Sequence, residues 1–160
     1  MNQQNRSAYY KSQILANLLI NSGLNGVIAY FFYRSRDTIL FDEIVVDIQI
    51  TVAIIAFFVA WIGISAARKS LIAGEPERVM AGTGRLPIPL PTNAVLRALV
   101  ITVALMFVYG GLVLIGPLSL MGVSGINQWG YVAFKTLYTG GCAACAAALA
   151  IMSVFQEYSE

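Results

Sequence analysis

Hydrophobic residues in this chain come in long unbroken runs, not in alternation with polar ones. Four stretches, roughly 14–33, 44–67, 98–120 and 129–152, are mainly apolar, and about 20 such residues are enough for a helix to cross a bilayer. Backbone donors and acceptors cannot be left exposed in hydrocarbon, and continuous runs lack the dyad alternation of barrel strands, so each run predicts a helix. The expected fold is all-α: a polytopic integral membrane protein with four transmembrane helices in a bundle, forming one domain over 1–160.

The polar positions between the runs predict an orientation. Arg6 and Lys11 precede the first span, and Arg68, Lys69, Arg78, Arg85 and Arg97 fall in the loop 68–97 against Glu75 and Glu77. On the other side Arg34 and Arg36 are balanced by Asp37, Asp42 and Glu43, and "PLSLMGVSGINQ" carries no charge. Short loops rich in Lys and Arg stay inside, so both termini and loop 68–97 are expected in the cytoplasm, with the protein in the plasma membrane. Aromatic residues fit two interfacial belts, Tyr9 and Tyr10 inside, then "YFFY" at 30–33, Trp129 and Tyr131 outside. The polar start "MNQQNRSAYYKSQ" has no short apolar core, so a cleaved signal peptide is not expected.

The loop 68–97 is too short for a domain. Its "GTGR" lacks the Lys-Ser/Thr of a phosphate-binding loop and no strand precedes it. "LPIPLP", with Pro87, Pro89 and Pro91, forces extended backbone, and Thr92 or Asn93 then offers a helix N-cap. This is the pattern of a stiff tether at the membrane surface, or of a docking segment for a partner's groove. The two helix pairs, 14–67 and 98–152, are of similar length and run the same way, as a parallel internal duplication would.

Composition narrows the function classes. Only 11% of the 160 residues are charged against 58% hydrophobic, where soluble proteins carry roughly 25% charged residues. A net charge of +2 with scattered basic residues is no nucleic-acid footprint, so nucleic acid is not an expected partner. The chain has no histidine, which removes the usual general base, pH switch and commonest metal ligand. No metal or cofactor is expected, and the chain is not expected to be an enzyme.

Three sets of polar or small residues lie inside the runs. Asn17, Asn21 and Asn25 recur every four residues and so form one stripe on the first helix. An amide facing hydrocarbon without a partner costs several kcal/mol, so the stripe should mark the inner face. It is expected to act as helix-packing glue or as one wall of a polar conduit. Asp47 and Lys135 each lie a turn or two inside the outer boundary of their helices, and ions in membranes tend to pair. They are a candidate ion pair; the alternatives are a Lys135 that snorkels outward and an Arg34 or Arg36 that claims Asp47. Gly140, Ala144 and Ala148, like Gly141, Cys145 and Leu149, follow the spacing that lets two backbones approach closely, and are expected to pack helices.

Cys142-Ala-Ala-Cys145 in the last of four membrane helices resembles the vitamin K epoxide reductase family of quinone-linked thiol oxidoreductases. The resemblance implies that Cys142 and Cys145 form the cofactor-proximal redox pair. It covers only those residues and the helix number. That family draws electrons from a second cysteine pair, whereas this chain has two cysteines in all, and an apolar surrounding disfavours a thiolate.

Two functional classes remain ahead of that one. The first is a non-catalytic membrane subunit, scaffold or assembly factor, in which the polar groups fix helix register. The second is a small transporter or channel with a path along Asn17, Asn21, Asn25, Asp47, Lys135 and Tyr138; four helices enclose little room, so it would need a homo-oligomer. The first is preferred because no polar residues continue the path through the inner half of the third and fourth helices. In either case the partners are the lipid bilayer and a second copy or a larger membrane complex.

Overall fold

A helix in lipid satisfies its backbone internally and needs no amphipathic face, and the computed structural model of this chain, which describes residues 3–73 and 90–158, is built mainly from such helices. Helix α1 (Gln3–Tyr33) takes in the polar N-terminal stretch as well as the apolar run. Strand β1 (Thr38–Leu40) and helix α2 (Phe41–Ile72) follow directly. The third run comprises α3 (Ala94–Leu105), a π-helical segment (Met106–Ile115) and α4 (Gly116–Leu120). Strand β2 (Gly125–Asn127) leads into α5 (Gln128–Tyr158). Among the described residues, four helical stretches are long and apolar enough to span a membrane: Tyr10–Tyr33, Phe41–Ser70, Ala94–Leu120 and Gln128–Val154.

Element ends follow from local chemistry. Glu43, in the first turn of α2, accepts from the Leu40 backbone N–H at 3.1 Å and pairs with Arg36 at 3.1 Å. This is half of a capping box, with the carboxylates of Asp42 and Glu43 favourably placed at the positive helix end. Asn93 caps α3, its side-chain oxygen accepting from Val95 N at 2.9 Å and Leu96 N at 3.2 Å. The residues between α2 and α3 that carry "GTGR", Pro87 and Pro89 lie outside the described ones.

Two features depart from the all-helical expectation. First, β1 and β2 form an antiparallel ribbon with Ile39 opposite Ile126, joining the α1–α2 loop to the segment before α5. A Cβ on Gly125 would stand 2.9 Å from the Ile39 carbonyl oxygen, so this close pairing needs glycine. Gly122, at φ 63°, makes the left-handed turn that brings the chain into β2. Second, the third span is widened by a π-helical register over ten residues. Pro117, in the first turn of α4, has no N–H to donate, and its ring would strike the carbonyl four residues back at Val113 in an ordinary α-turn. The wider register upstream relieves that clash.

Helix α5 is the element on which the others converge: it packs against α1, α2 and α3. One apolar cluster joins Ala60 and Ile64 of α2, Ile101 and Leu105 of α3, and Ala146 and Ala150 of α5. A second, nearer the ribbon, gathers Ile39, Ile44, Ile48, Leu114, Tyr131 and Cys142. The opposite faces of the helices expose residues such as Leu19, Leu24, Phe31, Val103 and Phe107. A contiguous apolar exterior of this kind is suited to lipid.

Candidate functional site

The residue that gathers the most chemistry is Asp47. It lies six residues into α2, deep enough that an unpaired carboxylate would be costly. Lys135 reaches it from α5, with Nζ 2.6 Å from Asp47 Oδ2. The lysine side chain is only 3% exposed and the aspartate 25%, so Lys135 does not snorkel to the interface. Arg36 is held by Glu43 and Arg34 lies over the Phe31 ring at 5.8 Å.

Two tyrosines complete the arrangement. Tyr131 sits one turn before Lys135 on the same face of α5, is fully buried, and donates its hydroxyl to the same Asp47 oxygen as Lys135. Tyr33, at the end of α1, stands beside them, its ring meeting that of Tyr131 edge to face at 5.1 Å. One carboxylate on α2 thus collects two donors from α5. Such a centre is costly if any partner is removed and quiet when complete, because the attraction and hydrogen bonds offset the desolvation of both ions.

The same face of α5 continues inward through Tyr138 and Cys142, at intervals of three and four residues. Tyr138 donates its hydroxyl to the backbone carbonyl of Tyr109 in the π-helical segment. The two rings lie 4.6 Å apart. Beside them Gln49 of α2 presses on Gly110, where a Cβ would stand 2.5 Å from the amide oxygen. That oxygen, Gln49 Oε1, is buried without a hydrogen-bond partner.

The asparagine stripe is arranged differently from packing glue that bonds across helices. Each amide donates to the carbonyl one turn back on its own helix: Asn17 to Gln13, Asn21 to Asn17 and Asn25 to Asn21, all at 2.9 Å. Asn25 is buried, at 6% exposure, while Asn17 and Asn21 are half-buried. A donor that bends back to the i−4 carbonyl meets its own need in lipid without a neighbouring helix.

The small residues of α5 are occupied by close contacts within the chain. A Cβ on Gly140 would stand 2.0 Å from Ser22 Oγ and 3.0 Å from the Leu18 carbonyl oxygen, so α1 passes directly over it. On Gly141 a Cβ would meet the Tyr109 hydroxyl at 2.3 Å. Ala144 and Ala148 are half-buried. The two cysteines are both free thiols and face different ways: Cys142 is buried and Cys145 exposed.

Arg97 is placed differently from the sequence expectation. Counted there with the loop 68–97, it lies instead in the first turn of α3 at 2% exposure. It is stable in that position because its guanidinium finds backbone acceptors, Nε on the Pro91 carbonyl at 2.7 Å and Nη1 on the Ser153 carbonyl at 2.9 Å. Arg68 likewise donates to the Thr92 carbonyl. The start of α3 is thereby tied to the ends of α2 and α5. No protein-family model matches the chain, and neither does any curated protein or solved structure.

Proposed function

We propose that this chain is a non-catalytic subunit, scaffold or assembly factor of the plasma membrane, a four-helix bundle with both termini in the cytoplasm. The observation that carries the reading is the closed state of the Asp47 centre. Lys135 and Tyr131 are buried and spend their donors on one carboxylate. A conduit needs polar groups that face a path and exchange partners, whereas ions that neutralise one another inside the protein fix how α2 and α5 sit together. Each asparagine amide donates along α1 and not to a neighbouring helix, and Gly140 and Gly141 serve packing within the chain. What is left for function is the surface: a large apolar exterior for lipid and for a neighbouring membrane protein or second copy, and basic residues at one end. That excess of Lys and Arg supports the cytoplasmic side for the α2–α3 connection.

Purification in a mild detergent, followed by native mass spectrometry, tests this directly. The expected result is a fixed stoichiometry, either a symmetric oligomer or a complex with another membrane protein. Reconstitution in liposomes decides against the transport alternative: solute flux that disappears when Asn17, Asn21 and Asn25 are changed to alanine would replace the subunit reading with a conduit. An activity abolished by Cys142→Ser or Cys145→Ser would replace it with a thiol enzyme.

A further inference from the structure

We propose that the crevice at the C-terminal end of α2 binds an anionic phospholipid, with Lys69 at the headgroup phosphate and Trp61 and Ile62 along the acyl chains. The crevice has a volume of about 280 Å³, and its walls among the described residues are Trp61, Ile62, Ser65, Ala66 and Lys69. These positions share one outward face of α2 over two turns. At 1.5 Å per residue, Lys69 stands roughly 12 Å along the axis from Trp61.

The polarity runs from a cation at one end to apolar wall along the rest. Lys69 is in the last turn of α2 and exposed. Its ammonium has no acceptor among the described residues, unlike Lys135 on Asp47, Arg36 on Glu43 and Arg97 on two backbone carbonyls. Ser65 donates its hydroxyl to the Trp61 carbonyl at 2.8 Å and so leaves the wall without a competing donor. Below, the Trp61 ring stacks on Phe57 at 6.2 Å and lies near Phe58, making an aromatic ledge along the apolar part of the crevice.

A diacyl phosphate lipid has the same order of polarity, an anion above apolar chains. A zwitterionic lipid offers the same chains with a cationic group beside its phosphate, and a partner's apolar helix would leave the ammonium without a counter-charge. Basic groups on a membrane protein favour acidic lipids by about a factor of five per lysine near the surface. A lysine in the last turn also offsets the negative end of the helix, but that role asks nothing of Trp61 or of lipid charge. The inference goes beyond the subunit reading and stands whether or not that reading holds.

The chain has two tryptophans, so Trp129→Phe leaves Trp61 as the reporter. The protein is reconstituted in symmetric phosphatidylcholine vesicles containing brominated phosphatidylglycerol or, in parallel, brominated phosphatidylcholine at equal mole fraction. Trp61 fluorescence is expected to be quenched roughly fivefold more effectively by the anionic lipid. Lys69→Gln should remove the preference and Lys11→Gln should keep it. Equal quenching by the two lipids, or a preference that survives Lys69→Gln, overturns the proposal. Native mass spectrometry of the unsubstituted chain and Lys69→Gln reads the same property without the Trp129 change, and equal retention of phosphatidylglycerol by both also overturns it. Both leaflets carry both lipids, so the outcome is independent of which way the chain faces.

Discussion

At the scale of single residues, the Asp47 centre is a place where one substitution does more harm than two. Asp47→Asn leaves Lys135 buried without its counter-ion, and the expected cost is about 3 kcal/mol, as for other buried pairs broken on one side. Lys135→Met strands the carboxylate at a similar cost. The double variant removes both ions together and should recover at least half of that loss. Unfolding in detergent, measured for all four proteins, checks this; strictly additive effects would mean the two residues are not coupled. Tyr131→Phe should cost on the order of 1 kcal/mol, the scale of a hydrogen bond inside a membrane protein. The spacing of charges made Asp47 and Lys135 visible as candidates, because an ion inside an apolar run is too costly to be incidental. It did not reveal Tyr131 or Tyr33. A tyrosine near a helix end is equally well used at the membrane interface, although Tyr131 lies one turn before Lys135. The asparagines show the opposite limit: their period gives a shared face, but an amide can reach the carbonyl one turn back on its own helix from any such position.

At the scale of elements, the fit of α1 on α5 depends on a glycine whose neighbour sits next door in space and far away in sequence. Gly140→Ala must displace Ser22 and press on the Leu18 carbonyl, and an expected destabilisation of about 1–3 kcal/mol follows from overpacking. Gly23→Ala, with nothing within 4 Å of its Cβ, should be neutral or slightly stabilising, since alanine favours a helix by up to about 1 kcal/mol. Thermal unfolding of the two variants side by side checks the contrast; equal effects would mean α1 does not cross α5 at Gly140. Cysteine chemistry gives an independent reading of α5. In detergent a membrane-permeant maleimide should label Cys145 faster than Cys142, so Cys145→Ser should remove most of the labelling of the folded protein. The existence of each helix was legible because composition alone forces it. The π-helical segment was not, since Met106–Ile115 reads like any apolar run and only Pro117 hints that the register must change. The ribbon escaped for a related reason: three residues a side carry too little alternation to signal a strand, and Gly125 fits a loop equally well.

At the scale of the whole molecule, the charged groups that tie one element to another lie towards both ends of a largely apolar structure. The ribbon and the Asp47 centre hold one end, and Arg97 and Arg68 hold the other. The ends of each span were read from the sequence to within several residues, but Arg97 was not read as an internal group, because a charge next to a loop ordinarily belongs to it. There is also a consequence in time. The carboxylate of α2 and the lysine that neutralises it are separated by 88 residues, and β1 waits nearly as long for β2. During synthesis the first two helices must therefore enter the bilayer with an uncompensated acid between them, and they gain their lock only when α5 arrives. A chain ending after Asn127 should be cleared rapidly by membrane proteases, and pulse-chase labelling should show Asp47→Leu extending its lifetime. Equal half-lives for the two truncated chains would separate the ion from turnover. A longer lifetime for the Asp47→Leu chain would mean that a copy is told from an orphaned half by whether that acid has met its lysine.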